Sequence, residues 1–213
     1  MIQSEGMETN WAAQNLQAIR TLMERSAIYR RALAPVMTFT GLVGVVAAVV
    51  GWYLNIESAK AFAAYWMTVS LIAVGGDYIL VRGQSLKDRE PFWSPPTRRV
   101  TQAMMPALFV GMMAGVICLL WVENAEIPVL LPILWMLLYG CAIHAAGFFM
   151  PRGIRLFAWG FIILGCVLLV SLRFADIQMP IKLGHAEMGL FFGVFQLAYG
   201  VYLYFTEQRK NET

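Results

Sequence analysis

Residues 34–54, APVMTFTGLVGVVAAVVGWYL, form an apolar run without a single charged side chain. A helix needs about 20 such residues to cross the hydrocarbon core of a bilayer. Five further runs of similar length follow at 61–81, 101–122, 130–149, 156–172 and 183–205. Continuous apolar runs favour helices, because the strands of a membrane barrel alternate apolar and polar residues. The sequence therefore predicts an all-α membrane protein, a bundle of six transmembrane helices.

The composition agrees with a chain whose main partner is the lipid bilayer. Hydrophobic residues make up 59% of the 213 residues, charged residues only 14%, and the mean hydropathy is +0.62. Soluble domains carry about 25% charged residues. The net charge of +3 does not indicate nucleic-acid binding, because the basic residues flank the apolar runs. The three cysteines lie far apart inside predicted spans, so the spacing indicates neither a zinc site nor a disulfide framework, and no cofactor is expected.

The distribution of basic residues predicts the orientation. Of the 16 Lys and Arg residues, 13 lie in the N-terminal segment, in the loops after the second and fourth spans, or in the C-terminal tail, and 3 lie in the other loops. Cytoplasmic loops are enriched in Lys and Arg. Both termini are therefore expected in the cytoplasm, with the protein in the inner (plasma) membrane. The first run is of full length with no cleavage site behind it, so we expect it to remain in the protein.

Three parts of the chain are expected: a cytoplasmic segment 1–33, a transmembrane domain 34–205 and a cytoplasmic tail 206–213. Residues 8–32 predict an amphipathic helix, because Ala12, Leu16, Ile19 and Met23 recur at helical spacing on one face. Such a helix commonly lies on the membrane surface. Alternatively, its apolar face docks a cytoplasmic protein or a second copy of the chain.

Ionisable residues at membrane depth mark candidate functional sites, because burying them is costly. At about 1.5 Å per residue, Asp77 and His144 lie about 24 and 21 Å below the start of their spans, and His185 only about 3 Å. This difference in depth argues against a haem held by the two histidines. Asp77, His144 and Tyr199 share a depth and form a candidate buried polar site. A proton relay or cation site is one interpretation. An interhelical hydrogen bond, or an Asp77 solvated at the interface, is the other.

Small residues predict where helices pack closely. Two of them form a GxxxG pair in the third span, and the last span carries a stripe of small and polar residues within a narrow arc of its helical wheel. The predicted packing seam comprises Gly111, Gly115, His185, Gly189, Gly193, Gln196 and Gly200.

Three stretches of the chain resemble an uncharacterised group of bacterial six-span integral membrane proteins. They are AIRTLMERSAIYRRALAPVMTFTGLVGVVAAVVGWYL, WMLLYGCAIHAAGFFMPRGIRLFAWGFIILG and LGHAEMGLFFGVFQLAYGVYLYF. The resemblance covers most of the chain and implies the six-span fold. It implies no catalytic residues, and the members' genes often lie near that of a winged-helix transcriptional regulator.

The expected function is that of a non-enzymatic membrane protein acting in sensing, regulation or assembly. Neither a catalytic motif nor a metal-ligand spacing is evident in the sequence. The alternative is a small transporter or channel with Asp77, His144 and Tyr199 near its pathway. Paired broken helices, which many transporters contain, are not evident.

Overall fold

A computed structural model describes residues 32–87, 92–121, 127–150, 152–175 and 180–211, and the described part is all-helical. The predicted amphipathic helix 8–32 lies almost entirely outside the described residues. The helices, numbered in chain order, are α1 (Ala32–Tyr53), α2 (Ala59–Lys87), α3 (Pro95–Trp121), α4 (Ile127–Ala146), α5 (Arg152–Ala175), α6 (Ile181–Met188) and α7 (Gln196–Asn211). A π-helical segment, Gly189–Phe195, joins α6 to α7, and we call these three pieces together the last span.

Length and composition make five of the described helical segments able to cross a membrane. They are Ala32–Tyr53, Ala59–Lys87, Thr97–Trp121, Gly153–Leu172 and Ile181–Thr206. Leu130–Ala146 is apolar but shorter. The outside of the bundle is also apolar: Leu71 and Ile79 are 70% and 68% exposed. Because soluble monomers rarely expose large apolar patches, the five helices indicate a membrane location.

Helices α2 and α3 begin before the predicted spans, and local signals account for where they begin. Helix α3 begins at Pro95, where the fixed φ of proline suits the first turn and its missing N–H has no helical partner. The hydroxyls of Ser94 and Thr97 are hydrogen-bonded there at 2.9 Å. The Ser58 hydroxyl accepts the backbone N–H of Ala61 at 3.3 Å, which caps the start of α2. Between α1 and α2, Asn55 takes a left-handed φ of 49°, which Asn tolerates well in a tight turn.

Helix α4 lies at the centre of the described bundle, in contact with α2, α3, α5 and α6. Its Ile133, Met136 and Ala142 are almost wholly buried. Met136 packs in one cluster with Phe161 of α5 and Phe191 of the last span. Helix α4 therefore separates α3 from the last span and positions both.

Helix α1 lies against the last span with the two backbones in direct contact. A side chain added at Gly41 would meet the backbone of Leu197, and one added at Gly193 would lie 2.8 Å from the backbone nitrogen of Val45. Only small residues permit so close an approach. The contacts run antiparallel, as Gly51 with His185, Ala48 with Gly189, Val45 with Gly193, Gly41 with Leu197 and Thr38 with Gly200.

Helix α1 also packs against α2, again antiparallel. The Tyr65 hydroxyl donates to the backbone carbonyl of Ala47 at 2.6 Å. Farther along, the Phe39 ring lies against Gly76. Helix α1 is thus held between α2 and the last span, and this position decides which polar side chains meet inside the bundle.

Candidate functional site

Asp77 of α2 accepts a hydrogen bond from Thr40 of α1. The Thr40 hydroxyl lies 2.9 Å from Oδ1 and 3.0 Å from Oδ2 of the carboxylate. The two helices are close enough for this hydrogen bond because the neighbouring residues, Phe39 of α1 and Gly76 of α2, are also in contact. A hydroxyl partner lowers the cost of burying the carboxylate but brings no positive charge.

A second polar pair lies between α4 and α7. The side-chain nitrogen of Gln196 donates to the Tyr139 hydroxyl at 2.9 Å. Gln196 is only 1% exposed, and among the described residues its carbonyl oxygen Oε1 has no hydrogen-bond partner. A buried acceptor without a donor is unfavourable by about 1–3 kcal/mol. The pair thus leaves one oxygen whose bonding capacity is unused.

The two pairs lie at one level of the bundle. The backbones of α1 and α7 touch at Gly41 and Leu197. Thr40 and Gln196 each lie one residue from this contact, so they lie at nearly the same height in the bundle. Helices α2 and α4, which carry Asp77 and Tyr139, are also in contact with each other. Four helices, α1, α2, α4 and α7, therefore contribute one polar side chain each. We call Thr40, Asp77, Tyr139 and Gln196 the Asp77 cluster.

The other two members of the predicted polar site have separate neighbours. His144 contacts the rings of Phe148 and Trp159, with centroids 5.5 and 5.4 Å away. Tyr199 stacks on Phe157 of α5 at 4.4 Å. Asp77 is instead hydrogen-bonded to Thr40, a residue that the sequence analysis did not single out. Thr40 carried no signal of its own, because hydroxyl side chains are common in membrane helices.

His185 lies at the opposite end of the last span and is fully buried. The Trp66 indole N–H donates to Nδ1 at 3.1 Å, so Nε2 carries the proton of a neutral imidazole and faces the Ile56 carbonyl at 3.2 Å. The Phe62 ring lies 4.8 Å from the imidazole, and the absent side chain of Gly51 leaves the space that the imidazole fills. Both ring nitrogens are thus used in contacts that join α2, the first interhelical turn and the last span.

The predicted glycines of the third span also lie at helix contacts. The backbone carbonyl of Gly111 accepts the Trp135 indole N–H at 2.7 Å. A side chain added at Gly115 would lie 2.7 Å from the Met67 sulfur. These glycines therefore sit where α3 meets α4 and α2.

Glu187 is a second carboxylate with unused bonding capacity. Its Oε2 atom is buried and lacks a hydrogen-bond partner among the described residues. It lines a narrow cleft whose other walls are apolar, including Pro132, Met136, Leu168 and Phe191. The cleft offers no second polar ligand, in contrast to the Asp77 cluster.

The chemistry of these sites is that of hydrogen-bonded polar groups between apolar helices. Within the described ranges, no group of three or more His, Cys, Asp or Glu side chains could hold a metal ion. Comparisons with protein-family models, curated proteins and solved structures gave no match. The fold therefore defines the class alone, an all-helical protein with five apolar helices of membrane-spanning length.

Proposed function

We propose that the chain is a six-span integral membrane protein that acts without catalysis, in membrane sensing, regulation or assembly. The observation that carries this proposal is that polar groups between the helices, buried or partly buried, are joined by interhelical hydrogen bonds. His185, Asp77 and Gln196 each form a hydrogen bond to a different helix. Together with the glycine contacts between α1 and the last span, they favour a closely held bundle that presents its cytoplasmic segments to partners.

The sixth span in this proposal is α4. It contains 20 residues, Ile127–Ala146, and at about 1.5 Å per residue is about 30 Å long. That length matches the thickness of a bilayer's hydrocarbon core. With six spans, the charge distribution assigns both termini to the cytoplasm of a bacterial cell and the protein to its inner membrane.

The topology is tested by labelling single cysteines in a variant without Cys118, Cys141 and Cys166. In the proposed orientation, a cysteine at Glu57 faces outward and one at Lys87 faces the cytoplasm. A membrane-impermeant maleimide applied to spheroplasts should label position 57 at once and position 87 only after the membrane is opened. The reverse order of labelling contradicts the orientation.

The regulatory role is tested by deleting residues 1–30, which precede the described bundle. In the proposal, this segment is the surface that contacts a cytoplasmic protein or a second copy. Affinity purification from native membranes should recover a partner with the full chain and lose it with the shortened chain. Thermal unfolding of both forms must show that the bundle is unchanged by the deletion, so that a lost partner can be assigned to the segment itself. Recovery of the same partner by both forms contradicts the proposal.

A small transporter or channel is the second candidate, favoured by one observation. Gln196 Oε1 is a buried polar atom without a partner among the described residues, at the level of Asp77. Gln196 is the first residue after the π-helical segment. Such segments occur frequently at functional sites. If the protein is a transporter or channel, its substrate or ion must bind at the Asp77 cluster.

A further inference from the structure

The geometry points to the Asp77 cluster as a binding site for one small, hard monovalent cation, such as Na⁺. This inference goes beyond the proposed membrane role and does not depend on it, since a structural, sensing or transporting protein can hold such an ion. It rests on the ligand set, the charge, and the unused oxygen of the cluster.

The ligand atoms available in the cluster are all oxygens. Asp77 offers a carboxylate, Gln196 an amide carbonyl, and Thr40 and Tyr139 offer hydroxyl groups. Carboxylate, carbonyl and hydroxyl oxygens suit hard cations, whereas zinc, copper and iron favour imidazole and thiolate. The cluster contains neither His nor Cys, so its chemistry selects a hard ion.

The charge of the cluster selects a single positive charge. Asp77 is its one ionisable acid, and the contact that the structure gives its carboxylate is with the neutral Thr40 hydroxyl. A monovalent cation would neutralise this partly buried carboxylate, and neutralisation lowers the cost of placing it between apolar helices. A divalent ion would leave an excess positive charge, and an anion would be repelled.

Gln196 supplies the observation that points to a ligand. Its nitrogen is already engaged with Tyr139 at 2.9 Å, while its 1% exposure removes the carbonyl oxygen from solvent. This oxygen has no donor among the described residues. An ion held between the two polar pairs would use it, together with the lone pairs that the carboxylate and hydroxyls retain.

Sodium binding is tested with the purified full-length protein in detergent. The midpoint of thermal unfolding is measured in about 100 mM NaCl and in the same concentration of N-methyl-D-glucamine chloride, which keeps ionic strength constant. With a dissociation constant of about 10 mM, sodium should raise the midpoint by about 3–6 °C. Equilibrium dialysis with ²²Na⁺ should give about one ion per chain.

The variants locate the site. Asp77→Asn keeps the size of the side chain and an acceptor for Thr40, and it should abolish the sodium-dependent shift and ²²Na⁺ binding. Gln196→Met, which removes the carbonyl oxygen, should weaken binding at least tenfold and replaces Asp77→Asn if that variant does not fold. Glu187→Gln is the matched control, because it neutralises a different carboxylate of the last span, whose Oε2 has no partner among the described residues. This variant should bind sodium as the unmodified protein does.

Three results would overturn the inference. One is the absence of any sodium-specific shift or ²²Na⁺ binding in the unmodified protein. The second is full retention of binding in Asp77→Asn or, if that variant does not fold, in Gln196→Met. The third is loss of binding in Glu187→Gln, which would assign the effect to the apolar cleft.

Discussion

At the residue scale, Asp77 and His185 show two ways in which a polar side chain is accommodated between apolar helices. His185 has a partner for each ring nitrogen, Trp66 for one and the Ile56 carbonyl for the other. Asp77 has a hydroxyl partner that leaves its charge unbalanced. The first arrangement is complete and fits a structural role, whereas the second retains the capacity to bind a further group.

The histidine contact predicts the effect of Trp66→Phe. The change keeps an aromatic ring but removes the N–H donor, so Nδ1 of a fully buried imidazole loses its partner. The free energy of unfolding should fall by about 1–2 kcal/mol, since interhelical hydrogen bonds in membranes are individually modest. Denaturant titration in mixed micelles measures the loss. Trp121→Phe is the control, because Trp121 is 72% exposed, and equal losses would show that the hydrogen bond contributes nothing.

At the scale of elements, the contact between α1 and the last span depends on small residues on both sides. The predicted seam named Gly189, Gly193 and Gly200, and the structure places these against α1. Gln196 instead turns to Tyr139 of α4. The π-helical segment accounts for this difference, because its i→i+5 hydrogen bonds rotate the following residues relative to an uninterrupted α-helix. A helical wheel with a constant 100° step cannot anticipate that rotation.

The close approach predicts a loss of stability in Gly200→Ala. The added Cβ would lie 2.7 Å from the backbone nitrogen of Thr38, which cannot move aside as a flexible side chain can. Overpacking of this kind costs about 1–3 kcal/mol, so the thermal midpoint in detergent should fall by several degrees. Gly160→Ala is the matched control, because a Cβ there meets nothing within 4 Å. That variant should be neutral or slightly more stable, since alanine favours the helix.

At the scale of the whole molecule, the first and last spans hold the bundle together although they are distant in sequence. Helices α1 and α2 pack as a pair, and α1 then packs on the last span. Contacts of α2 with α3 and α4 add to this interface. The two parts of the chain on either side of residue 89 should therefore recognise each other.

This architecture predicts that separate fragments 1–89 and 90–213 will associate when they are produced together. In the proposed topology each fragment has an even number of spans, two and four, so each keeps both ends in the cytoplasm. Affinity purification through a tag on one fragment should recover the other in equal amount. Gly200→Ala should reduce recovery and Gly160→Ala should not. Independent purification of the fragments would contradict a bundle closed by α1 and the last span.

The sequence by itself determined the helical class and the approximate positions of the apolar helices, because length and continuity of apolar residues decide whether a helix suits a bilayer. The small residues Gly41, Gly44, Ala48 and Gly51 of α1, on which the last span packs, were not part of the predicted seam. Only the tertiary structure decided which polar residues meet. Thr40 reaches Asp77, and Gln196 reaches Tyr139, because α1 inserts between α2 and the last span and the π-helical segment rotates α7. Depth along a single helix specifies a level in the bundle, whereas lateral packing and rotation specify the neighbours at that level.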